Sequence, residues 1–291
     1  MSEPSRPLLR WHGGKWLLAP WIIGHFPPHR IYVEPFGGAA SVLLRKPRAY
    51  AEVYNDLDSE LVNLFRVLRS SEAVRLVEQL RLTPFARDEF LAAYEACDEP
   101  VEQARRMIVR SFMGFGATGS TGHLTGFRSN SNRSGTTPAH DWGNYAGLLP
   151  DIIARMSGVV VENRDALAVM ATHDGPGTLH YVDPPYVHAT RSLANPHCAK
   201  HRYRHELNDA GHESLLDALC GLAGMVILSG YPHPLYDDAL TGWRRVERAA
   251  LADGARERIE VLWINPAATA ALERARSGVQ TPLFAMLEAA E

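Results

Sequence analysis

Short apolar runs alternate along the chain with longer segments whose apolar residues recur at helical spacing, a pattern typical of α/β proteins. Runs rich in β-branched and aromatic residues predict strands at residues 31–33, 51–54, 159–161, 179–182, 225–228 and 259–264. Helical spacing predicts helices at 39–44, within 58–82 and 86–111, and at 212–222. We therefore expect one domain built on a parallel sheet.

The alternation is interrupted between the second and third predicted strands. The two helical segments that follow residue 58 lead into 114–142, a stretch rich in Gly, Ser, Thr and Asn. A connection of that length is uncommon in a compact domain unless it has a function. We therefore expect a catalytic domain formed by residues 1–60 and 155–291, with residues 61–154 as a helical insertion that carries a functional loop or hairpin.

The composition is that of an ordinary globular protein, with 46% hydrophobic and 22% charged residues in a chain of 291. The three cysteines are far apart in sequence, which argues against a disulfide framework or a four-thiolate zinc site. No apolar stretch approaches the roughly 18 residues that span a bilayer, and the first residues lack a secretory pattern. We expect a soluble, cytoplasmic protein.

The net charge of −3 is unevenly distributed along the chain. Windows 101–134 and 187–205 each carry an excess of four positive charges, so the remainder is acidic. Basic loops in an otherwise acidic chain predict a local phosphate-binding surface. An ordinary solvated face is the alternative for either window.

The segment Asp183-Pro184-Pro185-Tyr186 directly follows the predicted strand at 179–182. Each proline removes a backbone donor and fixes φ at about −65°, so the strand must end where this corner begins. A carboxylate and a free carbonyl can accept hydrogen bonds from an exocyclic amino group, and an aromatic ring can stack on a flat base. The corner indicates a pocket for an amino-bearing base, whereas a strand-terminating turn is the structural alternative.

A second strand end has the chemistry of a cofactor site. Phe36, Gly37 and Gly38 follow the first predicted strand, and Asp56 lies about 20 residues further on, where nucleotide-binding α/β proteins place the acid that holds ribose hydroxyls. Glu34 beside the turn would repel a pyrophosphate, and the dinucleotide fingerprint is absent from this turn. A ligand with a ribose and no phosphate, such as S-adenosylmethionine, therefore fits better.

Four segments occur in a fixed order along the chain: 10–15 (RWHGGK), 33–38 (VEPFGG), 55–56 (ND) and 183–186 (DPPY). Together they resemble the Dam-like (D12 class, alpha-type) adenine-specific DNA methyltransferases, particularly the phage-type members. The segments 225–231 and 260–265 are similar to later sheet strands of that family, and we expect no catalytic role for them. The resemblance implies a Rossmann-like class I S-adenosylmethionine-dependent methyltransferase sheet with a helical and loop target-recognition insertion.

The resemblance also implies roles for individual positions. The residues expected to bind S-adenosylmethionine are Trp11, Lys15, Phe36, Gly37, Asp56, Asp165 and Asp183. The catalytic residues are expected to be Asp183, Pro184 and Tyr186. In that arrangement the carboxylate of Asp183 and the carbonyl of Pro184 accept the two hydrogens of an adenine amino group, and no general base is required before attack. No metal is expected.

The activity implied is site-specific methylation of adenine N6 in double-stranded DNA, with the target base flipped out of the helix and stacked on Tyr186. Aspartate at position 183 favours adenine over cytosine N4 or a protein amide, which are alternative substrates. A DNA-binding regulator that keeps the cofactor pocket without methylating is a further alternative. The recognition sequence, the oligomeric state and a pairing with a restriction enzyme, as opposed to an orphan or phage methylase, do not follow from the sequence.

The expected DNA contacts come from the insertion and from the segment that follows residues 183–186, which we call the catalytic corner. These are Arg110, Phe115, Arg128, Asn130, Asn132, Arg133, Arg191, Lys200 and Arg202. Arg and Asn side chains can recognise guanine or adenine edges, and contact with phosphate alone is the alternative. Relatives specific for GATC carry an asparagine where this chain has Gly116, so the resemblance does not extend to GATC specificity.

A rival metal site falls in the same region. His197, His201 and His205 recur every four residues beside Cys198, and on a helix they could bind zinc. The family resemblance implies no metal, and histidines close to Arg202 more often face phosphate or water. We therefore favour DNA contact over zinc binding for this segment.

Overall fold

Seven strands form one sheet at the centre of the fold. They are β1 (Ile31–Glu34), β2 (Ala51–Asn55), β3 (Val159–Glu162), β4 (Thr178–Val182), β5 (Met225–Gly230), β6 (Arg244–Ala252) and β7 (Arg256–Ile264). Their order across the sheet is β3-β2-β1-β4-β5-β7-β6, with β1 to β5 parallel and β7 antiparallel to both β5 and β6. The computed structural model describes residues 4–116, 124–130, 135–187, 204–252 and 256–278.

All six predicted strands are present, but the expected parallel sheet is correct only for β1 to β5. The sequence analysis did not predict β6, because four of its first five residues are charged and it contains few large apolar ones. β6 lies at the edge of the sheet, where a strand pairs with a single neighbour and tolerates many charged side chains. Because β6 and β7 form an antiparallel pair, the sheet is mixed.

Helices pack on the sheet and build the insertion. They are α1 (Ala19–Ile23), α2 (Ser59–Leu68), α3 (Ala73–Leu82), α4 (Arg87–Ala92), α5 (Pro100–Met113), α6 (Pro138–Gly143), α7 (Leu149–Met156), α8 (Ala166–Thr172), α9 (Asp209–Gly221), α10 (Pro234–Ala239) and α11 (Pro266–Arg276). A short 3-10 turn, Ala146–Leu148, precedes α7. None of the helices in the described ranges is long and apolar enough to cross a membrane.

The helix predicted at 39–44 is wrong, because this segment forms a series of turns. Ala40 has φ of 55°, in the left-handed region that an α-helix of L-residues cannot contain. The side chain of Glu34 accepts the Leu43 N–H at 3.0 Å, and Arg155 donates to the Leu43 carbonyl at 2.6 Å. In an α-helix the Leu43 N–H would instead donate to the Ala39 carbonyl, whereas the Leu43 carbonyl would have no helical partner because Pro47 lacks an N–H.

Successive residues of the central strands belong to two apolar clusters. The larger cluster contains Leu179 and Tyr181 of β4 and Met225 and Ile227 of β5. The smaller one takes Val182, Val226 and Leu228. Because side chains alternate between the two faces of a strand, this division shows that both faces of the sheet are covered, as parallel sheets require.

The helices of the insertion share their core with the sheet. Leu61 of α2, Leu76 of α3 and Ile108 of α5 are fully buried in the same cluster as Leu179 of β4. Helix α5 packs lengthwise on α2, which begins four residues after β2 ends. The C-terminal end of α5, where the predicted functional loop starts, is therefore held in a defined position relative to the strand ends.

A buried group of charges connects β2 to α7. Glu52 of β2 lies 2.6 Å from the Lys46 ammonium and accepts two hydrogen bonds from Arg155, at 2.7 and 2.9 Å. All three side chains are nearly inaccessible to solvent. Although burial opposes ionisation, the hydrogen bonds from Arg155 and Lys46 lower the pKa of Glu52. The carboxylate is therefore charged, and it compensates two buried cations.

Candidate active site

A cavity of about 310 Å³ opens beside the carboxyl ends of β1, β2, β3 and β4. Parallel strands place these ends at one edge of the sheet, so the segments that follow them converge. All seven residues predicted for the cofactor site line this cavity, namely Trp11, Lys15, Phe36, Gly37, Asp56, Asp165 and Asp183. Pro184 lines it as well.

The glycine turn after β1 forms a tightly packed wall of the cavity. The Gly37 N–H donates to the Asn55 carbonyl at 2.8 Å, and a Cβ at Gly37 would lie only 2.1 Å from the Tyr54 ring. Gly38 has φ of 49° and would bring a Cβ within 2.9 Å of the Trp11 indole nitrogen. Both positions require glycine, because neither contact leaves room for a side chain.

Asp56 holds this turn from the end of β2. Its two carboxylate oxygens accept the backbone N–H groups of Gly38 and Asp58, at 2.9 and 2.8 Å. Burial raises the pKa of Asp56 to about 6, and these two hydrogen bonds oppose the rise. Asp165 occupies the corresponding place after β3, where its carboxylate caps α8 by accepting the Ala168 N–H at 3.0 Å.

Asp183 follows the last residue of β4, and 18% of its side chain is accessible. Its Oδ1 lies 3.2 Å from the Lys15 ammonium and 3.3 Å from the Ser229 hydroxyl. Burial raises the pKa of Asp183 to about 6, with Lys15 opposing the rise and Glu260 adding to it. The residue is a partly desolvated acceptor that still faces the cavity.

Lys15 is buried against the catalytic corner. Besides Asp183, its ammonium contacts the Tyr186 hydroxyl and Glu260 Oε1, the latter at 2.6 Å. Burial lowers the pKa of Lys15, but Asp183 and Glu260 together raise it well above its ordinary value. The predicted cofactor lysine is thus a permanent cation that pairs with two carboxylates.

Tyr186 stacks on Tyr231, with ring centroids 4.2 Å apart and planes 23° from parallel. Because the Lys15 ammonium contacts the Tyr186 hydroxyl, its distance of 4.7 Å from the ring centroid places it beyond the hydroxyl edge of the ring and not over the face. Sequence reasoning assigned no role to Ser229, Tyr231 or Glu260. A signal was present, because polar residues at the end of β5 and inside the apolar run 259–264 of β7 are costly to bury without partners.

Arg110, an expected DNA contact, lies inside the fold. Only 6% of the residue is accessible, and its guanidinium is bonded to Glu60 of α2 and to the Ala93 carbonyl. Arg105 and Arg106 likewise form ion pairs with Glu102 of the same helix. Arg105 is also paired with Glu89, so the acids from outside the positive window at 101–134, Glu60 and Glu89, offset two of its four excess positive charges and join α5 to α2 and α4.

The end of α5 leads into the base of a hairpin. Gly114 and Phe127 form an antiparallel bridge, and Arg128 donates its backbone N–H to the Met113 carbonyl at 2.8 Å. Phe115 and Asn130 are exposed, whereas Arg128 is half-buried and also donates to the Phe112 carbonyl. Gly116 has a left-handed φ of 79°, a conformation that glycine adopts without strain.

The structure describes the second basic window at its two ends, residue 187 and residues 204–205. The guanidinium of Arg204 donates to Asp58 at 3.0 Å and to Glu60 at 2.7 Å. Its charge is therefore paired within the protein, at the wall of the cavity, and is not directed at phosphate. Several predicted residues lie outside the described ranges: Asn132, Arg133, Arg191, His197, Cys198, Lys200, His201 and Arg202. Within the described ranges no group of three His, Cys, Asp or Glu could hold a metal ion.

Comparison with known proteins agrees with this site. The family model for D12 class N6 adenine-specific DNA methyltransferases matches residues 11–219. The chain is similar to the DNA adenine methylase of Serratia marcescens, with 33% identity over 110 residues that make up 37% of this chain and 40% of that protein. It is also similar to the DNA adenine methylase of Escherichia coli K12, with 35% identity over 80 residues, 27% of this chain and 28% of that protein.

These relatives are thus matched over less than half of their own length. The family match, in contrast, runs from the Trp11 segment through the glycine turn and the Asp183 corner to α9, which is more than half of the chain. The chain therefore belongs to the family of D12 class N6 adenine-specific DNA methyltransferases.

Proposed function

We propose that this protein methylates the N6 amino group of adenine in double-stranded DNA, with S-adenosylmethionine as the methyl donor. The observation that carries the proposal is the position of Asp183. Its carboxylate lies at the end of β4, lines the acidic cavity and shares the Lys15 ammonium with the Tyr186 hydroxyl. An acceptor in that place can bind an amino group beside a bound methyl donor.

The residues of the cavity fit S-adenosylmethionine. Its described lining carries six carboxyl groups against two permanently cationic side chains, Lys15 and Arg204. The carboxyl groups are those of Glu34, Asp56, Asp58, Asp165, Asp183 and Glu206. Five of the six are expected to be ionised at pH 7, because burial raises the pKa of Glu34 to about 8. Such a lining favours a cationic ligand and repels a pyrophosphate. When bound, S-adenosylmethionine supplies a methyl group that is activated by its attachment to a positively charged sulfur.

The chain's own residues then have defined tasks. We infer that Asp56 binds ribose hydroxyls, that Asp165 lies near the adenine moiety of the cofactor and that Trp11 and Phe36 provide apolar contact. Asp183 and the Pro184 carbonyl accept the two hydrogens of the target amino group, which frees its nitrogen lone pair from the ring and stabilises the positive charge that develops there. One of these protons leaves after the new bond has formed, so no strong base is needed.

The target base must leave the DNA helix to reach Asp183. Extrusion of a base costs a few kcal/mol, which stacking on an aromatic ring partly offsets. We infer that Tyr186 provides this stacking and that the insertion, residues 61–154, recognises the DNA through the hairpin whose exposed base contains Phe115 and Asn130.

Transfer of a tritiated methyl group from S-adenosylmethionine to unmethylated, amplified duplex DNA tests the proposal. We expect label in DNA, recovered as N6-methyladenine after enzymatic digestion. Label recovered as N4-methylcytosine would show a different base specificity, and label in protein with none in DNA would show amide methylation. A protein that binds the cofactor in calorimetry without incorporating label would be the non-methylating regulator.

The glycine turn allows a test of the cofactor site. In Gly37→Ala the new Cβ collides with Tyr54, whose ring is fully buried against Phe65. We expect the variant to lose about 1–3 kcal/mol of stability through overpacking. We also expect the affinity for S-adenosylmethionine to fall at least about tenfold, measured by calorimetry at a temperature where the variant is folded.

The matched control is Gly221→Ala, because a Cβ at Gly221 meets no atom within 4 Å. That variant should keep the cofactor affinity and the stability of the wild type. Equal affinities for the cofactor in Gly37→Ala and Gly221→Ala would show that this turn does not form the cofactor site.

Methylation should depend on pH through Asp183. Because burial raises the pKa of Asp183 to about 6 and the ionised form is the better acceptor, we expect kcat/KM to fall as pH decreases below about 6. The titratable groups that interact with Asp183 are Lys15, Glu34, Tyr181, Tyr236 and Glu260. The measurement is a pH–rate profile for wild type and Asp183→Asn, and the acid limb due to this residue should be absent from the variant. If the acid limb of the profile is unchanged in Asp183→Asn, a group other than Asp183 causes it.

A further inference from the structure

Glu260 is an ionisable residue within the otherwise apolar run 259–264 of β7. Its neighbours on β7 include Val261, Leu262 and Trp263, and only 2% of Glu260 is accessible. Burial of a carboxylate is costly unless it is paired and hydrogen-bonded. Glu260 has both kinds of partner, because its Oε1 lies 2.6 Å from the Lys15 ammonium and 3.0 Å from the Ser229 hydroxyl.

The distances around Lys15 are unequal. The ammonium is 2.6 Å from Glu260 and 3.2 Å from Asp183, so its stronger interaction is with Glu260. Its third described contact is the Tyr186 hydroxyl, which accounts for all three donors of an ammonium group. Through Lys15, Glu260 is therefore connected to both side chains of the catalytic corner.

Ser229 makes the same connection by a second route. Its hydroxyl lies between the two carboxylates, 3.0 Å from Glu260 and 3.3 Å from Asp183. Both the Lys15 and the Ser229 contacts of Asp183 fall on Oδ1. Within the described part of the chain, this arrangement orients the carboxylate so that Oδ2 is the oxygen that can accept from a target amino group.

We propose that Glu260 is a positioning residue for methyl transfer: it holds the Lys15 ammonium as its principal partner and so keeps Asp183 oriented and able to accept from the adenine amino group. This inference rests on the proposed function. Without the Glu260 charge, Lys15 has Asp183 as its sole anionic partner in this cluster. A tight Lys15–Asp183 pair would turn the carboxylate toward the ammonium and weaken it as an acceptor for the base.

A structural role alone would predict something different. If Glu260 merely compensated a buried cation, its loss would lower stability and leave the kinetics of the folded enzyme unchanged. The positioning role predicts a loss of kcat, because displacement of a catalytic group by about 1 Å can cost roughly a hundredfold in rate. It also predicts a shift of the acid limb to lower pH, because the negative charge of Glu260 raises the pKa of Asp183.

The test compares wild type with Glu260→Gln and Glu260→Asp in full-length protein. The substrate is amplified duplex DNA with tritiated S-adenosylmethionine, below the melting temperature of each variant. We expect Glu260→Gln to lower kcat by about 10- to 100-fold, with KM for DNA within about threefold of wild type and the acid limb displaced to lower pH. Glu260→Asp retains the charge and should recover part of the lost kcat.

The matched control is Glu247→Gln, the same chemical change at an exposed ion pair with Arg245 on the neighbouring strand β6. It should retain the kcat and the pH profile of wild type. If Glu260→Gln does not fold, Ser229→Ala serves instead, because it removes one hydroxyl from the bridge between the two carboxylates and leaves their charges in place. We expect a smaller loss of kcat in Ser229→Ala, with KM for DNA unchanged.

The outcomes separate this inference from the proposed function. A wild-type enzyme that incorporates no label into DNA overturns the proposed function and the inference with it. An active wild type whose kcat and acid limb are unchanged in Glu260→Gln, or in Ser229→Ala where that variant is used, overturns the inference alone. Loss of kcat with partial recovery in Glu260→Asp supports it.

Discussion

Replacement of Asp183 by alanine is expected to lower kcat for adenine methylation by about 10²- to 10³-fold at saturating cofactor. The side chain is the acceptor that stabilises positive charge on the amino nitrogen, and alanine leaves no group to replace it. Because Asp183 is partly accessible and lies at the rim of the cavity, the variant should fold. The measurement is incorporation of tritiated methyl groups into duplex DNA, with thermal unfolding recorded in parallel.

Two further variants make this result specific. Asp183→Asn keeps an oxygen acceptor without the charge, so its kcat should lie between those of wild type and Asp183→Ala. Asp238→Ala removes an exposed aspartate of α10 and should leave kcat unchanged. Wild-type incorporation by Asp183→Ala would contradict the role assigned to the catalytic corner.

Replacement of Glu52 by alanine should cause the largest loss of stability, about 3–5 kcal/mol in the free energy of unfolding. The change leaves Lys46 and Arg155 as buried cations without their shared counter-ion. Breaking a buried ion pair is strongly destabilising because the remaining charge stays desolvated and unpaired. Urea denaturation monitored by circular dichroism measures the effect.

The control for this prediction is Glu247→Ala, which breaks an exposed ion pair with Arg245. Exposed pairs contribute at most about 1 kcal/mol, so the control should unfold near the wild-type midpoint. Equal losses in the two variants would show that the buried group is unimportant.

The contribution of Glu52 to stability should also diminish in acid. Since the folded pKa of Glu52 lies below its ordinary value, the stabilisation is present above that value and is lost as pH falls through the folded pKa.

The cofactor wall and the catalytic corner were predictable from sequence because each is a short contiguous segment. The turn at Gly37 and the Asp183 corner can be recognised by their glycines and prolines, which determine the backbone conformation. The carboxyl ends of parallel strands lie at the same edge of a sheet, so both segments are expected there. The five parallel strands were likewise visible as apolar runs, whereas the edge strand β6 was hidden by its charged residues.

The partners of the catalytic corner could not be predicted in this way. Ser229 and Glu260 belong to strands that are distant from Asp183 in sequence, and it is the antiparallel register of β5 and β7, pairing Gly230 with Val261, that brings them together. Nothing local to either residue specifies that register. It follows from how the β6–β7 hairpin packs against the rest of the sheet.

The two basic windows are another feature whose partners could not be predicted from the sequence. Composition alone determined that residues 101–134 and 187–205 carry excess positive charge, and the motifs alone determined the family chemistry. Only folding brought Glu60 against Arg110, an expected DNA contact, and Asp58 and Glu60 against Arg204 of the second basic window, so that both guanidinium groups form internal ion pairs. The reason is physical: Coulomb interactions depend on distance in space, and a count of charges along the chain includes only neighbours in sequence.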